Sequence, residues 1–530
     1  MPVLIRAEVG GIQKFIFATG KLKEMIGGSE IVYQICHKDF YEPVLGQIGC
    51  GRKADAEMAG NDWHILLQNN AGILALLLPD ERLGFAFLQA YSKKVLEQFP
   101  GLPIFGAQAP VAWDTASYRE ARSIVEQRIN LQRRSAPPGA GAPMLPVLRA
   151  SRLDGLPAVA EERSGESREF ISLPSLCRRQ PGLLKRAEER LRAYADISEK
   201  VIWTGDMEAM LPEGGKIALI HMDGNSMGKL FSDTLEEAEQ LPVAQGVAAL
   251  QTLSGAIENI NREAFRFAVN ALLAYIRQFD KSAVKQDALV MPLRPLVIGG
   301  DDITLVIRAD LALFFVDLFV SQYERLAASK GYALSLGVGM AVMDSSWPFA
   351  KAFALVEELT RNAKKLTAAA GPIRPSSLDY LVITEEVDKN VADLRRRVYT
   401  AADGMLLTGK PFELGAGFLL SFMEEGREIL ETLPRSALRP AFAACRNGAN
   451  IARAHWLNTR ENLERGLGGR KGRLMRASRF ERLFPENYFR KDSGATMLGD
   501  YLELSRLLPP DPLARNGMLK IMREGGNANV

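Results

Sequence analysis

Residues 294–308 constrain the fold more than any other stretch. They read Arg-Pro-Leu-Val-Ile-Gly-Gly-Asp-Asp-Ile-Thr-Leu-Val-Ile-Arg, two short apolar β-branched runs around Gly299, Gly300, Asp301 and Asp302. Such runs, broken by glycines, predict a β-hairpin with two carboxylates at or beside its turn. Glycine permits the tight backbone path and leaves room for a bulky ligand to come close. Adjacent aspartates in an apolar setting repel each other unless a cation is near, which points to Mg²⁺ or Mn²⁺ held by hard oxygen ligands. Taken alone, the tetrapeptide also reads as an ordinary solvated turn.

A second stretch, residues 216–223, reads Lys-Ile-Ala-Leu-Ile-His-Met-Asp, a buried strand that delivers Asp223 at its end. Paired beside the hairpin, it brings Asp223 to Asp301 and Asp302. Three carboxylates so placed suit two-metal phosphoryl transfer, in which an attacking hydroxyl is activated and a triphosphate is clamped. Strand alternation lets His221 share a face with Asp223, although a packed core histidine is the favoured reading.

A chain of 530 residues is too long for one core and predicts about three or four domains. Its 66 basic and 63 acidic residues leave a formal charge of +3, so any affinity for nucleotides or nucleic acid must come from local patches. Cys36, Cys50, Cys177 and Cys445 form no Cys-x-x-Cys pair, which argues against a disulfide framework or a structural zinc site and fits a reducing cytoplasm. The first residues lack the pattern of a signal peptide. The apolar stretches 71–79 and 311–320 are too short or too charged to span a membrane.

Taken in order, the chain predicts a strand at 2–9, a helical stretch at 12–17 opened by Gly10-Gly11, and a further helical run after Gly27-Gly28-Ser29. Strands at 63–68 and 72–78, joined by a turn at Asn69-Asn70, precede a helix at about 81–98 and a strand near 103–113. This β-α-β-β-α-β order recurs: a strand at 216–222, a helical region containing 246–278, the hairpin, a helix at 310–329, a strand at 333–342 and a helix from about Trp347. The expected class is α+β, with two ferredoxin-like domains at 1–115 and 211–385, a linker or insert at 116–210 and a helical domain at 386–530.

In the first copy the opening strand ends at Val9-Gly10, and Asn69-Asn70 stands where the second copy has paired aspartates. It cannot bind catalytic metals in the same way, and holding a second nucleotide is preferred over merely completing the core. In the insert, Arg119, Arg122, Arg128, Arg133 and Arg134 read as a solvated helix face leading into a proline-rich break at 136–143. In the tail, Arg460, Arg465, Arg470, Lys471, Arg473, Arg476, Arg479 and Arg482 surround the glycines of 466–469, as either a polyanion contact or a flexible surface loop.

These residues resemble a known family. The segments 11–17 and 21–29, Asp223-Gly224, Gly299–Asp302 and Leu407-Thr408-Gly409-Lys410-Pro411-Phe412 are similar to the large polymerase-like subunit of type III CRISPR effector complexes. The resemblance implies two palm domains and a synthase that converts ATP to cyclic oligoadenylates once the effector complex, with its guide RNA, has bound target RNA. It implies Asp223, Asp301 and Asp302 as metal ligands, with Gly299 and Gly300 admitting the triphosphate. Lys364 or Lys365 would meet phosphates, and Ser29 would line the acceptor-nucleotide pocket of the first palm. Departures are informative. No histidine precedes an aspartate, so the HD nuclease activity found in many members is not expected; only Cys177 stands where many members carry a zinc module, so no zinc is expected. The usual Asp-Gly-Asp-Asn reads Asp223-Gly224-Asn225-Ser226. The rival readings are a cyclic dinucleotide synthase using GTP, although Asp302-Ile303 replaces the Glu-Phe of that motif, and a catalytically silent scaffold subunit.

Overall fold

The computed structural model describes residues 1–53, 62–135, 147–164, 167–197, 201–285, 288–368, 375–383, 390–415, 417–465, 470–489 and 495–525. Strand alternation organises the first domain. Along β1 (Val3–Val9), Val3, Ile5, Ala7 and Val9 enter one core, while Leu4, Arg6 and Glu8 face the other way. There follow α1 (Ile12–Ile16), α2 (Leu22–Cys36), α3 (Lys38–Gln47), the short β2 (Arg52–Lys53), β3 (Trp63–Asn70), β4 (Ile73–Leu78), α4 (Glu81–Gln98) and β5 (Ile104–Pro110). The described strands pair in the order β2-β3-β4-β1-β5, with β1 antiparallel to both β4 and β5. α2 and α4 pack Ile31, Ile35, Phe87 and Tyr91 on one face of the sheet. On the other, α5 (Thr115–Ser135) sets Tyr118, Val125 and Ile129 against Leu4 and Leu77.

Two expectations for this domain need correction. The β3–β4 turn is not Asn69-Asn70: both residues continue the strand, opposite Leu74 and Ile73, and the turn is Ala71-Gly72, with φ of 50° and 72°. Two successive left-handed residues give the twist that a two-residue hairpin needs. Nor does Gly27-Gly28 precede a helix; it lies in the middle of α2. A Cβ at Gly27 would stand 1.8 Å from the Arg178 carbonyl oxygen, so the glycine serves close packing and not a break.

Arg178 belongs to the insert, which is more than a linker. It contains the hairpin of β6 (Ala158–Ser164) and β7 (Ser167–Ser172), α6 (Leu173–Arg178), α7 (Pro181–Ala195) and the short β8 (Val201–Ile202). The insert grips α2 through Glu24, a fully buried carboxylate that accepts hydrogen bonds from Thr19 (2.9 Å), Ser175 (2.9 Å) and Arg179 (2.7 Å). The expected proline-rich break at 136–143 lies outside the described residues.

The second domain repeats the plan: β9 (Ile217–Gly224), α8 (Met227–Glu237), α9 (Val243–Phe279), the small strands β10 (Val284–Lys285) and β11 (Ala288–Val290), β12 (Leu293–Ile298), β13 (Asp302–Arg308), α10 (Ala312–Ser329), β14 (Leu336–Met343), α11 (Phe349–Ala368) and β15 (Ser377–Val382). Its sheet runs β12-β13-β9-β14-β15-β16, where β16 is Phe412–Glu413, so its core order β12-β13-β9-β14 matches β3-β4-β1-β5 of the first domain. The two domains pack reciprocally. Phe17, after α1, meets Phe349 and Phe353 of α11, with ring centroids 5.4 and 4.3 Å apart. In return, Leu235, Val243 and Val247 of α8–α9 join the core on the α5 face.

Burial alone pushes the Asp317 carboxyl of α10 up to about 7. Its advantage in the folded chain is complete below the unfolded value of ~4 and is lost as pH rises toward the folded one. Asp317→Asn keeps the shape and removes the charge. It is expected to stabilise the protein by about 2 kcal/mol or more at pH 8 and hardly at pH 4. Urea unfolding at both pH values checks this; an equal shift at both would exclude the charge as the cause.

The tail is mostly helical: α12 (Val391–Val398), then β16 (Phe412–Glu413), α13 (Phe418–Thr432), α14 (Arg435–Arg446), α15 (Ala449–Arg465), α16 (Arg470–Leu483), α17 (Leu498–Leu504) and α18 (Pro512–Arg523). The strand β16, not expected in a region that reads as mostly helical, pairs with β15 and ties the tail to the second sheet. Among the described residues no helix is long and apolar enough to cross a membrane.

Candidate active site

The hairpin and the strand beside it meet as their sequences require. β13 runs antiparallel to β9 with Asp302 opposite Asp223, and the Gly224 amide donates to the Asp301 carbonyl at 3.1 Å. The Gly299 amide donates to the Asp302 carbonyl at 2.7 Å and closes the turn, while the Asn261 side chain of α9 donates to the Gly300 carbonyl. A Cβ at Gly300 would meet nothing within 4 Å, so this backbone stands open to an approaching ligand. At Gly224 a Cβ would be 2.5 Å from Met227 and 3.2 Å from Asp301, which only glycine avoids.

The three carboxylates therefore converge at one end of the second sheet. Burial first, and then the charges of Asp223 and Asp302, push the Asp301 carboxyl above its ordinary value. Lys364 of α11 donates to Asp223 Oδ2 and, at 2.8 Å, to the Gly224 carbonyl. Its stem crosses Gly337, the register partner of Asp223, where an added Cβ would lie 2.4 Å from Lys364 Cγ. Lys365, the neighbouring candidate, is exposed and makes none of these contacts. Asn225, where the family motif has a carboxylate, is buried and donates to Ser335 Oγ at 2.9 Å, so it anchors the turn to the start of β14.

His221 answers to both of its readings. Its ring is buried against Phe353, and its Nδ1 lies 3.0 Å from Thr304 Oγ1 and 3.1 Å from Asp302 Oδ1. Burial depresses its pKa, but the adjoining Asp302 and then Asp223 outweigh burial and raise it. Asp302 Oδ1 is itself buried without a well-aligned hydrogen bond.

Hard oxygen donors, a buried carboxylate oxygen lacking an aligned donor and a carboxyl raised by burial and then by its neighbours suit a divalent cation. As the side chains stand, no group of three or more His, Cys, Asp or Glu among the described residues is closed around a metal position. At Asp223 the positive charge is supplied by the Lys364 ammonium.

Ser29 of α2 lies outside this cluster. It borders a cavity of about 30 Å³ with Arg190 and Tyr194 of α7 and with Arg294 and Ile298 of the second domain's β12. The reciprocal position is much larger: a cleft of about 1050 Å³ between β3–β4, α5, α8 and α9.

Sheet register also identifies what the first domain places at the positions that correspond to the three aspartates. Glu8 pairs with Ile73 and Phe105 as Asp223 pairs with Asp302 and Gly337. The Val9 amide donates to Gly72 as the Gly224 amide donates to Asp301. Glu8, Gly72 and Ile73 thus stand where the second domain has Asp223, Asp301 and Asp302. Glu8 is ion-paired to Arg6 (2.8 Å) and to Arg133 of α5, just as Asp223 is paired to Lys364 of α11. The first strand therefore does carry a carboxylate, one residue before the expected Val9-Gly10, but two arginines neutralise it.

The basic cluster of the tail is largely paired: Arg460 with Glu481, Arg465 with Glu461, and Arg479 and Arg482 with Glu428. The glycines of 466–469 and the side chains of Arg470 and Lys471 lie outside the described residues.

Compared with known proteins, residues 216–369 match the family model described as Cas10/Cmr2, second palm domain. None of the curated proteins compared with it matches the chain. Among solved structures, a Csm1–Csm4 cassette in complex with one ATP aligns over 99% of this chain and 70% of its own, at 14% identity and a TM-score of 0.49. A Csm1–Csm4 cassette in complex with cA4 aligns over 99% and 70%, at 13% identity and a TM-score of 0.48. Csm1 in T.onnurineus aligns over 99% and 69%, at 16% identity and a TM-score of 0.44. The chain therefore carries, over residues 216–369, the second palm domain of the Cas10/Cmr2 family.

Proposed function

We propose that this chain is a metal-dependent nucleotidyltransferase that joins ATP into cyclic oligoadenylate for antiviral defence in the cytoplasm. The observation that carries this reading is the convergence of Asp223, Asp301 and Asp302 at the glycine hairpin, with Lys364 beside them. Mg²⁺ or Mn²⁺, held by those three carboxylates, would supply the charge that activates a ribose hydroxyl and neutralises the triphosphate. The chain's own residues do the rest. Gly300 leaves the hairpin backbone open to the phosphates, and Lys364 exchanges Asp223 for a phosphate oxygen when a nucleotide enters. Asn225 and Ser335 fix the turn that follows Asp223. The first domain, with one neutralised carboxylate, holds a nucleotide in the 1050 Å³ cleft without activating it.

The partners we propose are a Csm4-type subunit and the guide and target RNA of an effector complex, by extension from the Csm1–Csm4 cassettes. A silent scaffold is the second reading. It is favoured by the Lys364–Asp223 ion pair and by the open carboxylate cluster.

The test is to incubate the protein, alone and with such a partner and target RNA, with ATP or GTP and Mg²⁺ or Mn²⁺, and to weigh the products by mass spectrometry. Cyclic adenylates are expected from ATP. Cyclic dinucleotides from GTP alone would transfer the reading to that class, and no product in either setting would leave the scaffold.

A further inference from the structure

We infer that Lys364 controls metal loading: in the nucleotide-free chain its ammonium holds Asp223 and the Gly224 carbonyl, and it yields these oxygens to a divalent cation only when a triphosphate draws it away. This rests on the nucleotidyltransferase reading above and specifies the order in which that site is filled.

Three observations carry the inference. First, the ammonium sits between two oxygens: it donates to Asp223 Oδ2 and, at 2.8 Å, to the Gly224 carbonyl. Both are hard donors of the kind that Mg²⁺ or Mn²⁺ takes. An ammonium and a divalent ion on the same pair of oxygens would repel each other at close range, so one must leave. Second, the position of Lys364 is built into the packing. Gly337 and Gly339 share one face of β14, opposite Asp223 and His221 of β9. Thr360 and Lys364, one turn apart on α11, lie on those glycines, where an added Cβ would overlap Thr360 or the Lys364 stem. The two glycines thus let α11 lie close on the sheet and aim a lysine at the end of β9. The side chains of Lys364 and Asp223 still keep 28% and 37% of their surface exposed, which leaves the pair open to exchange with an incoming anion. Third, the first domain repeats the contact without the paired aspartates. Its α5 follows β5 as α11 follows β14, and Arg133 of α5 reaches Glu8, the register counterpart of Asp223. Gly72 and Ile73 stand there in place of Asp301 and Asp302. A cation returned from the last helix to the end of the first strand is therefore a property of the fold.

Charge sets the direction of the effect. Asp223, Asp301 and Asp302 meet at this sheet end, and the Lys364 ammonium offsets part of their field. While it does so, the cluster attracts a divalent ion from solution less strongly. A triphosphate reverses the balance, because its oxygens receive Lys364 and add ligands for the ion. Nucleotide and metal then each raise the other's affinity by the same factor, as linkage requires.

The test titrates Mn²⁺ into the full chain without nucleotide and follows the free ion by electron paramagnetic resonance. Lys364→Met is expected to bind Mn²⁺ at least tenfold more tightly than the parent, whereas Lys364→Arg, which keeps the charge, should bind it as weakly as the parent. Adding Asp301→Ala/Asp302→Ala to Lys364→Met should abolish the gain, as a merely structural role of the lysine would not require. If Lys364→Met lowers the circular-dichroism melting temperature, Gly337→Ala takes its place: it crowds the lysine stem and should tighten Mn²⁺ in the same direction. Equal Mn²⁺ affinity in the parent and these variants, or none detectable in any of them, would overturn the control by Lys364 and leave the nucleotidyltransferase reading standing. A parent that holds no Mn²⁺ beyond that bound by the analogue itself when α,β-methylene-ATP is added would overturn that reading instead.

Discussion

The double variant Asp301→Ala/Asp302→Ala is expected to fold as the parent does and to release no cyclic or linear oligoadenylate, a loss of about 10³-fold or more. The size follows from the position of the two groups. Asp302 faces Asp223 across the β13–β9 ladder, and Asp301 is bonded through its carbonyl to Gly224, so both carboxylates stand where a triphosphate would meet the hairpin. Removing them takes away two of the three oxygen donors for a cation and leaves Asp223 with only Lys364. The fold should not suffer, because neither side chain holds the ladder together and their mutual repulsion, part of what raises Asp301, is relieved. Mass spectrometry of products, beside circular-dichroism melting of both proteins, checks both halves. Product formed at the parental rate by a folded variant would place the chemistry elsewhere.

The site was legible in the sequence because its parts are local. Gly299–Asp302 between β-branched runs specifies a hairpin without help from the rest of the chain, and 216–223 is apolar enough to be read as a buried strand ending in Asp223. The helix expected at about 81–98 is also found, and it opens with Asp80 accepting from the Leu83 amide. Less was legible where distant backbone decides. Gly27-Gly28 reads as a breaker, yet the approach of Arg178 makes it the middle of a helix. Asn69-Asn70 is good turn chemistry, but Ala71 and Gly72 are the residues that take the left-handed conformation. The place of Glu8 opposite Ile73 is a matter of register, which appears only when two strands are paired. The surroundings of Ser29 are likewise a matter of packing: α2 belongs to the first domain but lies against β12 of the second. β15 escaped notice because the buried Asp379 interrupts its apolar run.

That buried charge belongs to the arrangement that ties the tail to the second sheet, where a second large effect is expected. The Lys410 ammonium is buried and donates to Glu503 Oε2 at 2.5 Å, with Asp500 Oδ1 at 3.5 Å, and it lies 4.1 Å over the Tyr380 ring of β15. Asp500 also accepts from Thr408 Oγ1 (2.6 Å) and the Gly409 amide (2.7 Å), so the segment leading into β16 is fastened to α17. Lys410→Met leaves two carboxylates buried without their cation. It is expected to cost about 3–5 kcal/mol in urea unfolding. The loss should depend on pH. Burial raises the Asp500 carboxyl to about 6 even with Lys410 beside it. A raised carboxyl keeps its full folded-state advantage below ~4 and loses it as pH climbs through the folded value. Without Lys410 that value moves higher, so the deficit of the variant should be clearly greater at pH 8 than at pH 5. Adding Asp500→Asn and Glu503→Gln to Lys410→Met removes the stranded charges and should recover part of the loss at pH 8. A deficit equal at both pH values, or one that the triple variant leaves untouched, would assign the effect to the packing of the Lys410 stem and not to its charge.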